Sequence, residues 1–258
     1  MCEAEFISAT RATSPIKCYR GEKWLKDYEL IQNWAKALKK IFKVPEHTNL
    51  SDLHNHAEIL NRGTDEDSTR LVRFHRSNVG GRTVFAKRYQ DALNNETEEM
   101  EEFNVLYRNM LRKHCAPNVG LKQGCGEILL YQKHPTLRVI YPNIGKCVGK
   151  VHKDADYHHQ ENEINYWVPF VDLTDKESAC LHAESSPGKE DFHPFNCSFG
   201  EFIRFWGNQV THYTMENISM ITRVSIDFRV IRLCDFDQNT TGKSNAFRRN
   251  QYYAEIVI

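Results

Sequence analysis

The chain has 258 residues, a formal net charge of zero at pH 7 and 40% apolar residues, which is enough for a substantial core and compatible with a single domain over residues 1–258. A neutral chain lacks the strongly basic surface that nucleic acid attracts, and no run of about 18 apolar residues predicts a transmembrane helix. The first residues have neither the basic nor the apolar segment of a secretory signal. We therefore expect a cytoplasmic protein without nucleic-acid or membrane partners; the sequence leaves open whether it is a monomer or a homodimer.

Residues 1–120 are expected to form a mostly helical support region. One amphipathic helix is predicted from apolar residues spaced three and four apart, which form a single stripe: Trp24, Tyr28, Ile31, Trp34, Leu38 and Ile41. A short helix is predicted over Thr64–His75. A longer one is predicted over Thr97–Cys115, because this segment begins with glutamates and ends with basic residues. The segment Arg82–Ala92 fits either a strand or a helix.

After Gly120 the pattern changes to short alternating runs, which are typical of β-strands. These runs cover residues 127–132, 136–141, 162–170, 199–206, 211–215 and 221–233, with a further strand around residue 152. A series of short strands at hairpin spacing predicts a sandwich or jelly-roll barrel over residues 121–258. The predicted fold is therefore mainly β, with the N-terminal helices packed on the outside of one sheet.

The strand around residue 152 carries the first candidate site residues. His152 and Asp154 are two apart, so on an extended segment their side chains point to the same side. A second histidine would complete a set of two histidines and one carboxylate, which is typical of non-haem Fe(II) oxygenases. His212, in a turn that runs into a later strand, is the preferred partner, and His193 is the alternative. The remaining downstream histidines are less suited: His158, His159 and His182.

A candidate anion site follows His212. Arg223 and Ser225 alternate onto one face of a predicted strand, with Val224 and Ile226 on the other. A guanidinium and a hydroxyl on one face suit a carboxylate ligand. Arg229 shares this polar face with Asp227; the two could balance one another, and Arg229 is the second choice for the anion site.

The order of these motifs resembles a known family. His152-x-Asp154, His212 and Arg223-x-Ser225 resemble the Fe(II)/2-oxoglutarate-dependent oxygenases, most closely the phytanoyl-CoA-hydroxylase-like superfamily. The run from Glu163 to Pro169, together with Tyr157 and His159, resembles the branch named after a streptomycin-biosynthesis protein. The resemblance covers about residues 125 to 233 and implies a double-stranded β-helix, that is, a jelly-roll or cupin-like core.

The resemblance also implies a ligand set and a reaction class. Fe(II) would be held by His152, Asp154 and His212, and the distal carboxylate of 2-oxoglutarate by Arg223 and Ser225, with Trp167 lining the same pocket. O2 would be the second cosubstrate of this dioxygenase. Halogenating relatives lack the carboxylate ligand, so Asp154 predicts oxygenation: hydroxylation or oxidative cyclisation of a small polar metabolite, amino-acid-like or sugar-like, in a biosynthetic pathway. Two alternatives stay open, a cupin-type metal enzyme without 2-oxoglutarate and a non-catalytic jelly-roll binding module.

Substrate contacts are expected from polar residues on the candidate pocket faces: Arg138, Tyr141, Tyr157, His159, Glu163 and Asn165. For Glu163 and Asn165 buried polar bracing is the alternative, and for Tyr157 and His159 support of the metal ligands. Arg138 could equally be a solvated residue at a sheet edge. The loop Glu184–Lys189 is predicted to cover the mouth of the site, where substrate choice is usually made.

Overall fold

The structure is a computed structural model, and it describes residues 16–19, 28–56, 83–142, 149–173, 181–238, 249 and 251–258. Within these ranges the protein is mainly β-sheet with several helices. Trp24 and the helix predicted over Thr64–His75 lie outside the described residues. None of the described helices is long and apolar enough to cross a membrane.

The described residues begin with a short strand, Ile16–Tyr19, and the α-helices α1 (Tyr28–Ile41), α2 (Val84–Asn94) and α3 (Glu98–Met110) lie between it and the later strands, together with a single helical turn at Ala116–Asn118. The predicted stripe of α1 is confirmed over Ile31, Trp34 and Leu38, which are fully buried, whereas Tyr28 at the start of the helix is 41% exposed. Helix α2 resolves the ambiguous segment as a helix. It is capped by Thr83, whose hydroxyl accepts a hydrogen bond from the backbone of Ala86 at 3.2 Å. Helix α3 continues through a π-helical turn at Leu111–Cys115.

The strands form two antiparallel sheets. They are β1 (Ile16–Tyr19), β2 (Ile128–Gln132), β3 (Thr136–Ile140), β4 (Gly149–His152), β5 (Ile164–Pro169), β6 (Leu181–Ala183), β7 (His193–Pro194), β8 (Phe202–Phe205), β9 (His212–Thr214), β10 (Arg223–Arg232) and β11 (Tyr253–Val257). The larger sheet has the order β1-β8-β5-β10-β2-β11, and β3 pairs with β10 beside β2. The smaller sheet has the order β4-β9-β6-β7. Among the described residues, no strand pairing joins the two sheets.

Side chains of β10 point alternately to the two faces of the larger sheet, and these faces have different neighbours. On one side Phe228 packs against Tyr107 of α3, with ring centroids 4.9 Å apart, so this side faces the helices, as predicted. The opposite side carries the polar residues of β10 and faces the smaller sheet. There the ring centroids of Trp167 and Phe195 are 6.1 Å apart, and those of Phe205 and His212 are 5.3 Å apart. The polar face of β10 is therefore enclosed between the sheets.

Candidate metal centre

Two histidines and one carboxylate meet at the edge of the smaller sheet. His152 and His212 are directly opposite each other in the β4–β9 ladder, and their ring centroids are 4.4 Å apart. Oδ1 of Asp154 lies 3.7 Å from Nε2 of His152 and 3.8 Å from Nε2 of His212. The three ligand atoms are all within 4.8 Å of one another, and this is the one such group of three or more found among the described residues.

The backbone around Asp154 follows the prediction in part. Strand β4 ends at His152, and Asp154 begins a 3-10 helix, Asp154–Tyr157. The intervening Lys153 is still extended, with φ −108° and ψ 150°, so His152 and Asp154 point to the same side as predicted, although the strand itself ends at His152. A 3-10 turn follows at once, and Asp156 caps it by accepting a hydrogen bond from the backbone of Lys153 at 2.9 Å.

Both histidines have the same tautomer. Nδ1 of His152 is 2.6 Å from the carbonyl oxygen of Lys150, and Nδ1 of His212 is 2.9 Å from that of Val210. A carbonyl only accepts hydrogen bonds, so each Nδ1 carries the proton and donates it. Each Nε2 is left with a lone pair facing Asp154, which is the state that a metal ligand needs. Burial also lowers the pKa of His212, although Asp154 opposes the effect.

The Asp154 carboxylate is held from behind by two side chains. Arg229 donates from Nε to Oδ2 at 2.8 Å and from Nη2 to Oδ1 at 2.9 Å, and Asn165 donates from Nδ2 to Oδ2 at 2.6 Å. Burial alone would raise the pKa of Asp154, but the charge and hydrogen bonds of Arg229, together with the nearby His212 and His159, outweigh it and hold that pKa well below its usual range. Asp154 is thus an anion turned with Oδ1 toward the histidines.

Gly207 fixes Asn165 in turn. Its N–H donates to Oδ1 of Asn165 at 3.2 Å, and its carbonyl accepts from the backbone of Asp154 at 2.9 Å. A Cβ at this position would lie 2.5 Å from Nδ2 of Asn165. Only glycine therefore fits between the Asp154 backbone and the side chain that orients its carboxylate.

The predicted anion site lies on the enclosed face of β10. Arg223, Ser225 and Trp167 are buried, and Cζ of Arg223 lies 5.6 Å from the centre of the Trp167 ring. Oγ of Ser225 and Nε1 of Trp167 have no hydrogen-bond partner among the described residues. Buried donors are normally satisfied, so these two atoms mark a place where a polar ligand would fit. A carboxylate, which accepts hydrogen bonds through both oxygens, suits this donor set.

The charged residues next along β10 pair differently from the prediction. Arg229, the second choice for the anion site, is bound to Asp154. Asp227 does not balance Arg229 but accepts from Nε of Arg138 at 2.6 Å. Arg138 therefore lies on the same face of the sheet as Ser225, in an ion pair, with its side chain 26% exposed.

The other predicted substrate residues lie in three different places. Tyr157 is 53% exposed at the rim, and its ring centroid is 5.2 Å from that of His152. His159 contacts the fully buried Glu163, with Nδ1 2.8 Å from Oε2, so this pair braces the site from below. Tyr141 is not brought to the centre, because its ring packs against Phe85 of α2 on the helical side.

Two further predictions concern the alternative histidine and the loop. The imidazole of His193 is 66% exposed and lies 3.6 Å from Asp191, away from the triad. The predicted loop over the mouth is anchored at Glu184, which accepts from the backbone N–H groups of Thr211 at 2.7 Å and Glu190 at 3.0 Å. The loop is therefore tied to the residue that precedes His212.

Sequence reasoning missed several residues that support the centre. Gly207 opens a turn after β8, and this turn signal could have drawn attention to it. Tyr252 accepts from Nη1 of Arg229 at 3.3 Å and donates to Oε1 of Gln132 at 2.9 Å. The hydroxyl of Tyr253 hydrogen-bonds to Glu163. These tyrosines arrive from the C-terminal segment, where no local pattern marks them.

Comparison with known proteins gives one sequence relative. No family model matches the chain. The streptomycin biosynthesis protein StrG of Streptomyces griseus is 26% identical over 162 residues, which cover 62% of this chain and 73% of the relative. Among solved structures, the non-heme monooxygenase ThoJ in a nickel complex aligns with a TM-score of 0.45 at 11% identity, over 88% of this chain and 77% of that chain. AviO1 of Streptomyces viridochromogenes aligns with a TM-score of 0.39 at 16% identity, over 53% of this chain and 63% of that chain. Both TM-scores are too low to establish a common fold.

Proposed function

We propose that the chain is a non-haem Fe(II)- and 2-oxoglutarate-dependent oxygenase. Its substrate would be a small polar metabolite, amino-acid-like or sugar-like, oxidised at an unactivated C–H bond by hydroxylation or oxidative cyclisation. The observation that carries the proposal is the convergence of His152, Asp154 and His212, with both Nε2 lone pairs and Oδ1 facing one another. Two histidines and one carboxylate leave coordination positions open for cosubstrate and O2. The name of the StrG relative supports a role in biosynthesis.

The proposal includes a double-stranded β-helix as the core. The strand orders β3-β10-β5-β8 and β4-β9-β6-β7 support it, because they interleave early and late strands in both sheets. The triad then lies on the smaller sheet and the anion pocket on the larger one. The enclosed space between the sheets would hold a cosubstrate that contacts both.

The pocket on β10 is assigned to 2-oxoglutarate. Arg223 and Ser225 would hold its distal carboxylate, and Trp167 would form the pocket wall and offer its Nε1 proton. The support is the pair of buried donors without a hydrogen-bond partner in the described part of the chain, Oγ of Ser225 and Nε1 of Trp167. Burial strengthens such contacts because water does not compete for them.

Each supporting residue has a defined task in this mechanism. Bound Fe(II) and 2-oxoglutarate supply the oxidising chemistry, with O2 as the oxidant. Lys150 and Val210 hold the two histidines in the ligating tautomer through their carbonyls. Asn165 and Arg229 keep Asp154 anionic and oriented. Because Asp154 fills the position that halide takes in halogenating relatives, the proposed reaction is oxygenation and not halogenation.

Substrate would enter at the rim of the triad. Tyr157 is exposed there beside His152 and offers a ring and a hydroxyl. Arg138 and Asp227 offer both signs of charge on the enclosed face, where they are partly exposed. A zwitterionic or polyhydroxylated metabolite suits such a surface.

The test is an anaerobic titration with Fe(II) and 2-oxoglutarate, followed by visible absorption and then by succinate release. The wild-type protein should give a weak charge-transfer band, and Arg223→Ala should weaken 2-oxoglutarate binding by about 100-fold, since truncating one partner of a buried charge pair costs about 2–5 kcal/mol. Arg204→Ala is the matched control. Arg204 is also a buried arginine, but it lies on β8 opposite Tyr166, on the helical side of the sheet.

The outcomes separate the proposed function from its rivals. Folded wild-type protein without a band would favour a non-catalytic binding module. Turnover that needs the metal but persists without 2-oxoglutarate, and survives Arg223→Ala, would favour a cupin-type metal enzyme. A panel of amino-acid and sugar metabolites, screened for succinate release, then identifies the substrate class.

A further inference from the structure

A single guanidinium lies between two buried carboxylates beneath the triad. Nε of Arg229 is 2.8 Å from Oδ2 of Asp154 and 3.6 Å from Oε2 of Glu163. The Asp154 side chain is 2% exposed, that of Glu163 is fully buried, and that of Arg229 is 13% exposed. Two buried negative charges without compensation would strongly destabilise the fold, so the charge of Arg229 is needed at this position.

The two carboxylates differ in how far they depend on Arg229. Glu163 is also satisfied by His159, by the backbone N–H of Gln160 at 3.2 Å and by the hydroxyl of Tyr253. Arg229 binds both oxygens of Asp154 through two N–H groups, at Nε and Nη2. Asn165 is the single further side-chain donor among the described contacts of Asp154. The Arg229 charge therefore compensates Asp154 first.

The two carboxylate oxygens of Asp154 also have different contacts. Oδ2 accepts from Asn165 and from Nε of Arg229, whereas Oδ1 accepts from Nη2 alone and faces both histidines. Rotation of the carboxylate about its Cβ–Cγ bond would break the two hydrogen bonds from Arg229. It therefore presents one oxygen to the space between the histidines.

We propose that Arg229 is a positioning residue and a built-in counter-cation for the metal ligand Asp154. It compensates the carboxylate while no metal is bound, and it holds Asp154 as a ligand through Oδ1 alone. This inference rests on the metal centre of the proposed function. One consequence follows from electrostatics: Arg229 and a divalent cation share the same negative charge, so Arg229 stabilises the metal-free protein and moderates its affinity for metal.

The test compares thermal unfolding with and without Ni²⁺ in four proteins: wild type, Arg229→Gln, Arg232→Gln and Asp154→Asn. Arg232→Gln is the matched control. Arg232 is buried on the same strand and forms the same two-point pair with a carboxylate, Asp235, at 2.7 and 3.1 Å, and none of the hydrogen bonds described for it is to the triad. Asp154→Asn measures the effect of Ni²⁺ bound without the carboxylate ligand, at the two histidines or elsewhere on the surface.

Arg229→Gln should lower the Tm of the metal-free protein by roughly 5–15 °C, because it leaves a buried charge uncompensated. Ni²⁺ should then raise its Tm by about twice the wild-type increment, since the cation replaces the missing charge. Arg232→Gln should lower the Tm and leave the Ni²⁺ increment at the wild-type value. If Arg229→Gln does not fold, the double variant Asp154→Asn/Arg229→Gln should fold, because residue 154 is then neutral and Glu163 keeps its contacts with His159, Gln160 and Tyr253.

Two kinds of result are unfavourable, and they are distinguishable. An Arg229→Gln increment equal to or below that of wild type, or a double variant no more stable than Arg229→Gln, overturns the role of Arg229 and leaves the metal centre in place. A wild-type increment no larger than that of Asp154→Asn overturns Asp154 as a metal ligand, and with it the centre of two histidines and one carboxylate and the role of Arg229.

Discussion

Replacing Gly207 by alanine should disturb the metal centre without touching any candidate ligand. The added Cβ would lie 2.5 Å from Nδ2, 2.7 Å from Cγ and 2.8 Å from Oδ1 of Asn165. Non-bonded heavy atoms are attractive only near about 3.5–4.0 Å, so the Asn165 amide must move by roughly 1 Å. That movement breaks the 2.6 Å hydrogen bond from Asn165 to Asp154.

The expected loss of stability is about 2–5 kcal/mol. Overpacking a filled site costs about 1–3 kcal/mol. Losing a buried hydrogen bond to a charged group costs about 1.5–3 kcal/mol. The smaller backbone entropy of alanine in the unfolded chain returns about 0.4–1 kcal/mol.

Urea unfolding of a double-mutant cycle provides the assay. In an Asn165→Ala background the clash is absent, so Gly207→Ala should cost less than about 1 kcal/mol. Gly149→Ala is a graded control on the neighbouring β4–β9 pair, where the nearest atoms of Thr214 are 3.3 Å from the added Cβ and need to move only slightly.

This reasoning is refuted if the stability costs of Gly207→Ala and Asn165→Ala simply add. If Gly207→Ala destabilises wild type and Asn165→Ala equally, within about 0.5 kcal/mol, the two residues are not coupled. The bracing of Asp154 through Gly207 and Asn165 would then be wrong, even if Gly207→Ala lowered stability.

Three further predictions follow from buried groups. Burial alone would raise the pKa of Glu184, but hydrogen bonds, chiefly from the backbone N–H groups of Thr211 and Glu190, outweigh it and hold the pKa at about 2 against an ordinary 4.5. The ionised Glu184 therefore stabilises the fold fully above pH 4.5, and this stabilisation is lost as the pH falls toward 2. In urea unfolding at several pH values, wild type should exceed Glu184→Gln at pH 7 and approach it near pH 2, and a gap independent of pH would contradict this. Tyr253→Phe should cost about 1–3 kcal/mol in the same assay, because buried Glu163 loses a donor; no change would mean that another group replaces the hydroxyl. Trp34→Ala should cost about 3–5 kcal/mol, since Trp34 is fully buried against Phe170, and a loss below about 1 kcal/mol would show that the core collapses to fill the space.

The periodic spacing of hydrophobic residues predicted part of this fold from the sequence. The stripe of Ile31, Trp34 and Leu38 predicted α1, because a helix repeats every 3.6 residues and buries one face. The alternation of Arg223 and Ser225 with hydrophobic residues predicted which face of β10 is polar, because strand side chains alternate. These are local rules, and they hold here because each element has one buried face.

The tertiary structure decides the secondary structure within the ambiguous segment Arg82–Ala92. Its residues fit a strand or a helix, and burial of Phe85 and Tyr89 against the neighbouring elements decides for α2. Alternation predicted that His152 and Asp154 face one point, but it did not predict that the chain turns into a 3-10 helix at Asp154.

The sequence by itself determined the chemical content of the site: two histidines and a carboxylate in an order compatible with one metal centre, followed by an arginine and a serine on one strand face. Only the tertiary structure decided their partners. It brought His212 rather than His193 to Asp154, paired Arg229 with Asp154 and Arg138 with Asp227, and set Gly207 against Asn165. These contacts join residues that are distant in the chain. They depend on how two sheets pack, and a local sequence pattern carries no information about that packing.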